Sequence, residues 1–354
     1  MSYPRVEVDL GKIRHNTKII VDKCNKYGIK IAGVTKVFCA DSKITKALVE
    51  GGVEYLADSR VQNLKKLKDI SIPKILLRLP MISEVDEVVD YADISLNSEL
   101  ETIKALSKKA IEKSKKHKII LMVDLGDLRE GFFKEEEIYE NVAEILKLKG
   151  ISLVGIGTNL TCYGGVIPRN ENLSRLVQIG NNIEEKYSIK LEIISGGNSS
   201  SLHLVYEDDI PEGINMLRLG EALSFGRESA FGGLIEDTYN DAFKLIVEAI
   251  EIKEKPSVPI GEIGFDAFGN KPSFVDRGIR KRMICAIGKQ DVDLGSIQPL
   301  DKDIIILGGS SDHLLLDVTD SKIGYKVGDK IEFKLNYVGV LTTMTSEYVD
   351  KYYI

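Results

Sequence analysis

Apolar residues in the first two thirds of the chain alternate between two periods. Short β-rich runs lie at 6–9, 31–35, 55–58, 75–79, 94–97, 119–125, 154–157, 191–195 and 216–219. Between them, stretches at 13–27, 42–51, 60–68, 100–116, 135–148 and 172–187 place apolar residues at i, i+3 and i+4. This alternation predicts βαβ units around a parallel sheet, because each amphipathic helix needs a sheet face to cover. Eight or nine units in about 225 residues suit a (β/α)8 TIM barrel. A doubly wound open sheet is the alternative. Its dinucleotide form is poorly supported, since Gly155-Ile156-Gly157 lacks the third glycine at the required spacing.

Near residue 243 the helical periodicity fades. Short β runs at 260–265, 283–287, 303–307, 314–318, 330–335 and 338–344 are punctuated by Gly, Pro and Asp. The pattern predicts an all-β C-terminal domain, with the boundary near 230–245. We assign 1–235 to the barrel and 236–354 to the β-rich domain.

The chain has 354 residues, 43% hydrophobic and 29% charged, enough for two domains with a real core. A net charge of −6 argues against a broad nucleic-acid surface or a polybasic membrane patch. The Lys-rich stretch at 108–116 keeps a helical period and reads as a solvated face. No apolar run approaches the ~18–20 residues that span a bilayer, and the first residues carry no apolar signal core. Cys24, Cys39, Cys162 and Cys285 are far apart with no CxxC pair, so neither a zinc site nor a disulfide scaffold is indicated. A cytoplasmic enzyme or binding protein is expected, with no nucleic acid, membrane or metal as partner.

In a barrel, catalytic groups sit at the C-terminal ends of the strands. The second strand ends in Gly33-Val34-Thr35-Lys36. Desolvation at an apolar mouth would lower the pKa of Lys36 and favour the neutral amine, the form that attacks an aldehyde. A Lys that merely snorkels to solvent is the alternative. The strand at 191–195 runs into Gly196-Gly197-Asn198-Ser199-Ser200. Hydroxyls and free N–H groups there suit a phosphate, although a Gly-rich turn with a capping side chain would look the same. The strand at 216–219 carries Arg218 and is followed by Gly220 and Glu221. Gly220 could offer a second amide to the phosphate. Arg218 can only donate, so facing an aromatic nitrogen it would keep that nitrogen unprotonated; a barrel-end salt bridge is the other reading. Arg129, after the strand at 119–125, could hold a carboxylate bidentately or pair with a nearby acid. Together these groups suggest pyridoxal 5'-phosphate: an amine for the aldehyde, a cradle for the phosphate, one Arg for the ring and one for the substrate.

At this point the sequence resembles the alanine-racemase-like family, the fold-type III pyridoxal-phosphate enzymes. The opening Val6-Glu7-Val8-Asp9-Leu10 with Ile13, His15 and Asn16, then Val34-Thr35-Lys36, is similar to the family's start and lysine segments. Asp124, Gly126, Arg129 and Gly131 match its "DxGxxRxG" stretch, and Asn198-Ser199 with 218–226 match its phosphate and pyridine segments. In the β domain, 316–320 with 326–329 resembles "DVTD…VGD", and 337–345 resembles the final strand pair.

The resemblance implies a homodimer in which the β domain completes the partner's active site. It also implies cofactor contacts by Lys36, Arg129, Asn159, Asn198, Ser199, Arg218, Gly220 and Glu221. The sequence departs from alanine racemases at four places. Thr158-Asn159 replaces a Thr-His pair, and Met122 replaces a Lys. Phe38-Cys39-Ala40-Asp41 lacks a Tyr, and Gly264-Phe265-Asp266-Ala267-Phe268-Gly269 lacks the second catalytic Tyr. The stretch 277–293, with Gln290 and Asp291 as substrate contacts, is similar to the branch acting on basic amino acids, the ornithine racemases.

Racemisation by that branch would use Lys36 on one face of the α-carbon and a second carrier on the other. Asp266, in a Gly-bounded segment, is the expected second base, with Asp291 and Cys285 as rivals. Asp127, Glu221, Asp266 and Asp291 are all open as readers of the distal ammonium. A decarboxylase of basic amino acids is the alternative enzyme, but Cys285 is followed by Ala286 rather than Asp. A non-catalytic pyridoxal-phosphate carrier is the other alternative. The segment Asp58-Ser59-Arg60-Val61-Gln62-Asn63 resembles its third-strand motif, but such carriers lack a β domain.

Overall fold

The structure is a computed structural model that describes residues 2–265, 268–269 and 271–354. It divides into two compact units, one of Leu10–Asn240 and one of the chain before Leu10 together with Asp241–Ile354. A single strand, β1 (Arg5–Val8), precedes the first helix.

The unit of Leu10–Asn240 runs α1 (Leu10–Asn25), β2 (Lys30–Val34), α2 (Ser42–Glu50), β3 (Tyr55–Asp58), α3 (Val61–Lys66) and β4 (Lys74–Leu76). It continues with α4 (Val85–Tyr91), β5 (Ile94–Asn97), α5 (Leu100–Glu112), β6 (His117–Met122), α6 (Glu135–Ile145) and β7 (Ile151–Gly157). It ends with α7 (Asn170–Tyr187), β8 (Ile193–Ser195), α8 (Leu202–Tyr206), β9 (Met216–Leu219) and α9 (Glu221–Phe225). Strands β2 to β9 form a closed barrel, with β9 returning to pair in parallel with β2. Ala32, Val34, Ala57, Ile94, Leu96, Ile120, Met122 and Met216 fill its interior. The intervening residues, such as Leu121 and Ile156, face the helices and pack with Ile103, Leu106 and Leu176. The period of two along each strand thus feeds two cores, which is why the strands read as nearly continuous apolar runs.

The other unit contains β10 (Phe243–Pro256), β11 (Ile279–Cys285), β12 (Ile297–Pro299), β13 (Ile305–Gly309), β14 (Leu314–Asp317), β15 (Lys330–Leu335), α10 (Tyr337–Thr345) and β16 (Asp350–Tyr353). Its sheet is ordered β12-β15-β10-β11-β14-β13, and β1 joins it antiparallel to β10 and parallel to β16.

Three expectations are corrected here. The run at 6–9 is not a barrel strand: it pairs with Phe243 to Ile246 in the β unit, and the barrel closes without it. The run at 338–344 is helical, within α10, because Asn336 caps it by accepting from the Gly339 N–H at 3.0 Å. No strand forms at 260–265, and the long β10, unanticipated in the sequence, carries the sheet instead.

Candidate active site

Lys36 follows β2 directly and opens a short 3₁₀ turn, Lys36–Phe38. Lys36 is exposed rather than buried at the mouth as its position suggested. Two consecutive non-glycine residues after the turn, Cys39 and Ala40, hold left-handed backbone at φ 53° and 54°.

Around the barrel from β2, the neighbouring strand is β9, in a register that pairs Gly33 with Leu219. Arg218 is only 4% exposed and donates to Ser195 Oγ at 2.5 Å and to the Thr158 carbonyl at 2.7 Å. Burial lowers its pKa to about 10, which still leaves a charged donor at neutral pH. Gly220 packs tightly against β2: an added Cβ would lie 3.1 Å from Val34 Cβ. Glu221 begins α9. Its carboxyl is raised by partial burial, while the positive charges of Arg227 and Lys36 pull it back.

The turn after β8 locks onto both neighbours. Asn198 Nδ2 donates to Asn159 Oδ1 at 3.0 Å and to the Leu160 carbonyl at 2.9 Å, while its Oδ1 accepts from the Ser200 N–H at 2.8 Å. Ser199 Oγ accepts from the Ala222 N–H at 3.2 Å. Asn159, Asn198, Ser199, Arg218, Gly220 and Glu221 are thereby brought together at the ends of β7, β8 and β9, next to Lys36.

Beyond β6, Asp124 Oδ1 accepts from the Gly126 and Leu128 N–H groups at 2.8 and 3.1 Å, shaping the turn that presents Arg129. Gly131, at φ +126°, admits no side chain, since a Cβ would sit 2.5 Å from Asp124 N. Arg129 pairs with its neighbour Glu130, donating through Nη2 to Oε1 at 2.5 Å. Asp127 is fully buried and accepts from the N–H groups of Thr161, Tyr163 and Val166 at 2.9, 3.0 and 3.1 Å. It ties down a loop and is removed as an ammonium reader.

In the β unit, Asp291 is buried and accepts from Ser346 Oγ at 2.7 Å, and Gln290 donates to Asp312 at 3.2 Å. Burial pushes the Cys285 thiol up to about 12, which removes it as a base near neutrality. Asp266 lies outside the described residues. Several supporting groups were not anticipated. Ser195 and the Thr158 carbonyl orient Arg218, and Asp58 with Thr35 stands beside the lysine turn.

The polar groups fit pyridoxal phosphate. Thr158 Oγ1, Asn159 Nδ2, Ser200 Oγ and Ser224 Oγ are buried without a partner among the described residues. Buried polar atoms are rarely left so, and these four belong to the segments at the ends of β7, β8 and β9, where the cradle is. A (β/α)8 barrel with an amine, a guanidinium and a hydroxyl-lined turn at its mouth, joined to an all-β unit, is the architecture of the fold-type III pyridoxal-phosphate enzymes.

The chain belongs to the alanine racemase family, whose N-terminal domain profile matches residues 8–228. The ornithine racemase of Acetoanaerobium sticklandii is 54% identical over 99% of this chain and 99% of its own. The lysine racemase of Thermotoga maritima is 43% identical over 100% of this chain and 99% of its own. Alanine racemase from Bartonella henselae, with covalently bound pyridoxal phosphate, has the same fold: TM-score 0.75 at 16% identity, covering 100% of both chains. The decarboxylase and carrier readings find no support among these relatives.

Proposed function

We propose that this protein is a pyridoxal-phosphate-dependent amino-acid racemase that interconverts L- and D-ornithine. The observation that carries the chemistry is the placement of Lys36, Arg218 and the Asn198–Ser199–Gly220 cradle at the ends of neighbouring strands. Full-length similarity to an ornithine racemase supports the substrate.

Bound there, the cofactor would act as an electron sink that loosens the α-proton of an attached amino acid. Asn198, Ser199 and the amides of Gly220 and Glu221 would hold its phosphate, and Lys36 would supply the amine for its aldehyde. Arg218 would donate toward the ring nitrogen and could not take a proton from it, which would restrain side reactions such as transamination. Arg129 binds the substrate carboxylate, exchanging it for Glu130. Lys36 removes or returns the α-proton on one face. On the other face we assign the proton to Asp266, from the sequence alone. Glu221, a partly buried carboxylate beside Lys36, reads the distal ammonium, with Gln290 and Asp291 as further substrate contacts.

The working unit is a homodimer whose β domain completes the partner's site. The four free cysteines suit the reducing cytoplasm. Among the described residues no helix is long and apolar enough to cross a membrane. Incubating the cofactor-loaded protein with single enantiomers of ornithine, lysine and alanine, followed by chiral chromatography, tests the reading. Ornithine should show the highest kcat/KM, and ornithine left unchanged would refute it.

A further inference from the structure

The segment from Asp58 to Asn63 plays no part in the chemistry above, yet it grips the turn that carries Lys36. Asp58, the last residue of β3, has no exposed surface. Its Oδ2 accepts from the Thr35 hydroxyl at 2.6 Å, and its Oδ1 accepts from the Arg60 N–H at 2.9 Å and from Asn63 Nδ2 at 3.1 Å. Asn63 Oδ1 in turn accepts from Lys66 Nζ at 3.0 Å, and the same ammonium donates to the Cys39 carbonyl at 3.0 Å. An unbroken chain of hydrogen bonds therefore links residue 35 to residue 39, the two ends of the turn that contains Lys36.

The turn needs such a brace. Cys39 and Ala40 both hold left-handed backbone, at φ 53° and 54°. Residues with a side chain keep that conformation only when their surroundings impose it. The charge at Asp58 is also placed to matter. Three donors on a carboxylate favour its ionised form. Burial opposes it and raises the carboxyl from its ordinary value, while the positive charge of Lys36 works in its favour. The positive charge of Lys36 also acts on the Glu221 carboxyl, together with the charges of Arg227 and Glu228.

We infer that Asp58 is a positioning residue: it clamps Thr35 and the Asn63–Lys66–Cys39 arm, holds the strained turn in shape and fixes a negative charge beside Lys36. The inference rests on Lys36 being the amine that carries the cofactor. It does not depend on which amino acid is racemised.

Asp58→Asn keeps the size of the side chain and removes its charge. In the holoenzyme, the pH at which the absorbance of the lysine-bound cofactor changes should fall by roughly one unit, because a nearby anion favours the protonated form. Thr35→Val breaks the clamp but keeps the charge. It should lower kcat roughly tenfold or more at little change in KM, as displaced catalytic groups do, without moving the spectral transition. Thr35→Ser should restore kcat. The inference is overturned if Asp58→Asn, melting at the wild-type temperature, titrates at the wild-type pH. If Asp58→Asn does not fold, the Thr35 pair decides, and equal kcat in Thr35→Val and Thr35→Ser overturns it. A wild-type protein that takes up no cofactor would instead defeat the functional reading, and this inference with it.

Discussion

Arg218 and Lys36 occupy neighbouring strand ends but opposite environments. Arg218 is buried and held by two oxygen acceptors, so its remaining donors have a fixed direction. Lys36 is exposed on a braced turn, and the proposed roles of holding a cofactor and carrying a proton need its Nζ to move. Both positions were legible in the sequence, because each follows a short apolar run and barrels place their chemistry at strand ends. Asp127 was not legible in the same way. Nothing local distinguishes an acid that reads a ligand from one that accepts three loop amides. The second proton carrier gives a test at this scale. In Asp266→Asn, exchange of the α-proton with solvent deuterium should persist for the enantiomer handled by Lys36 and fail for the other. If both enantiomers exchange as in wild type while affinity for ornithine falls, Asp266 is a side-chain reader and the base lies elsewhere.

The barrel strands were the most readable elements, since burial on both faces leaves an unbroken apolar signature. Strand β10 was missed because its second half alternates charge, with Glu251, Lys253, Glu254 and Lys255 in a row that resembles a solvated helix. The run at 338–344 misled in the other direction. Its β-branched residues favour a strand, yet the cap at Asn336 starts a helix. The place of β1 depends on partners 235 or more residues away, so no local pattern could reveal it. Strand β6 carries a prediction of its own. His117, at its start, is buried, contacts Ser95 Oγ at 2.8 Å, and has its pKa lowered by burial from 6.5 to about 4. The unfolded chain takes up the proton near 6.5, while the folded chain resists it down to about 4. Stability should therefore fall as pH drops through that window, by about 3 kcal/mol in total. His117→Gln should flatten thermal stability against pH between these limits. An unchanged slope would show that His117 does not set it.

At the scale of the whole molecule, the reading assigns one site to two chains: Lys36 from one barrel and Asp266 from the partner's β domain. Mixing the inactive variants Lys36→Ala and Asp266→Asn, with exchange of subunits, should then regenerate roughly a quarter of the sites by random pairing. No recovery, in mixtures shown to exchange, would place both groups in one chain. The central claim, that this is a two-face racemase acting through Lys36, is tested most directly by following optical rotation from pure L-ornithine and from pure D-ornithine. The cofactor-loaded protein should bring both to the same zero rotation without releasing carbon dioxide, and Lys36→Ala should leave both unchanged. Constant rotation with cofactor bound, release of carbon dioxide, or full activity in Lys36→Ala would contradict it.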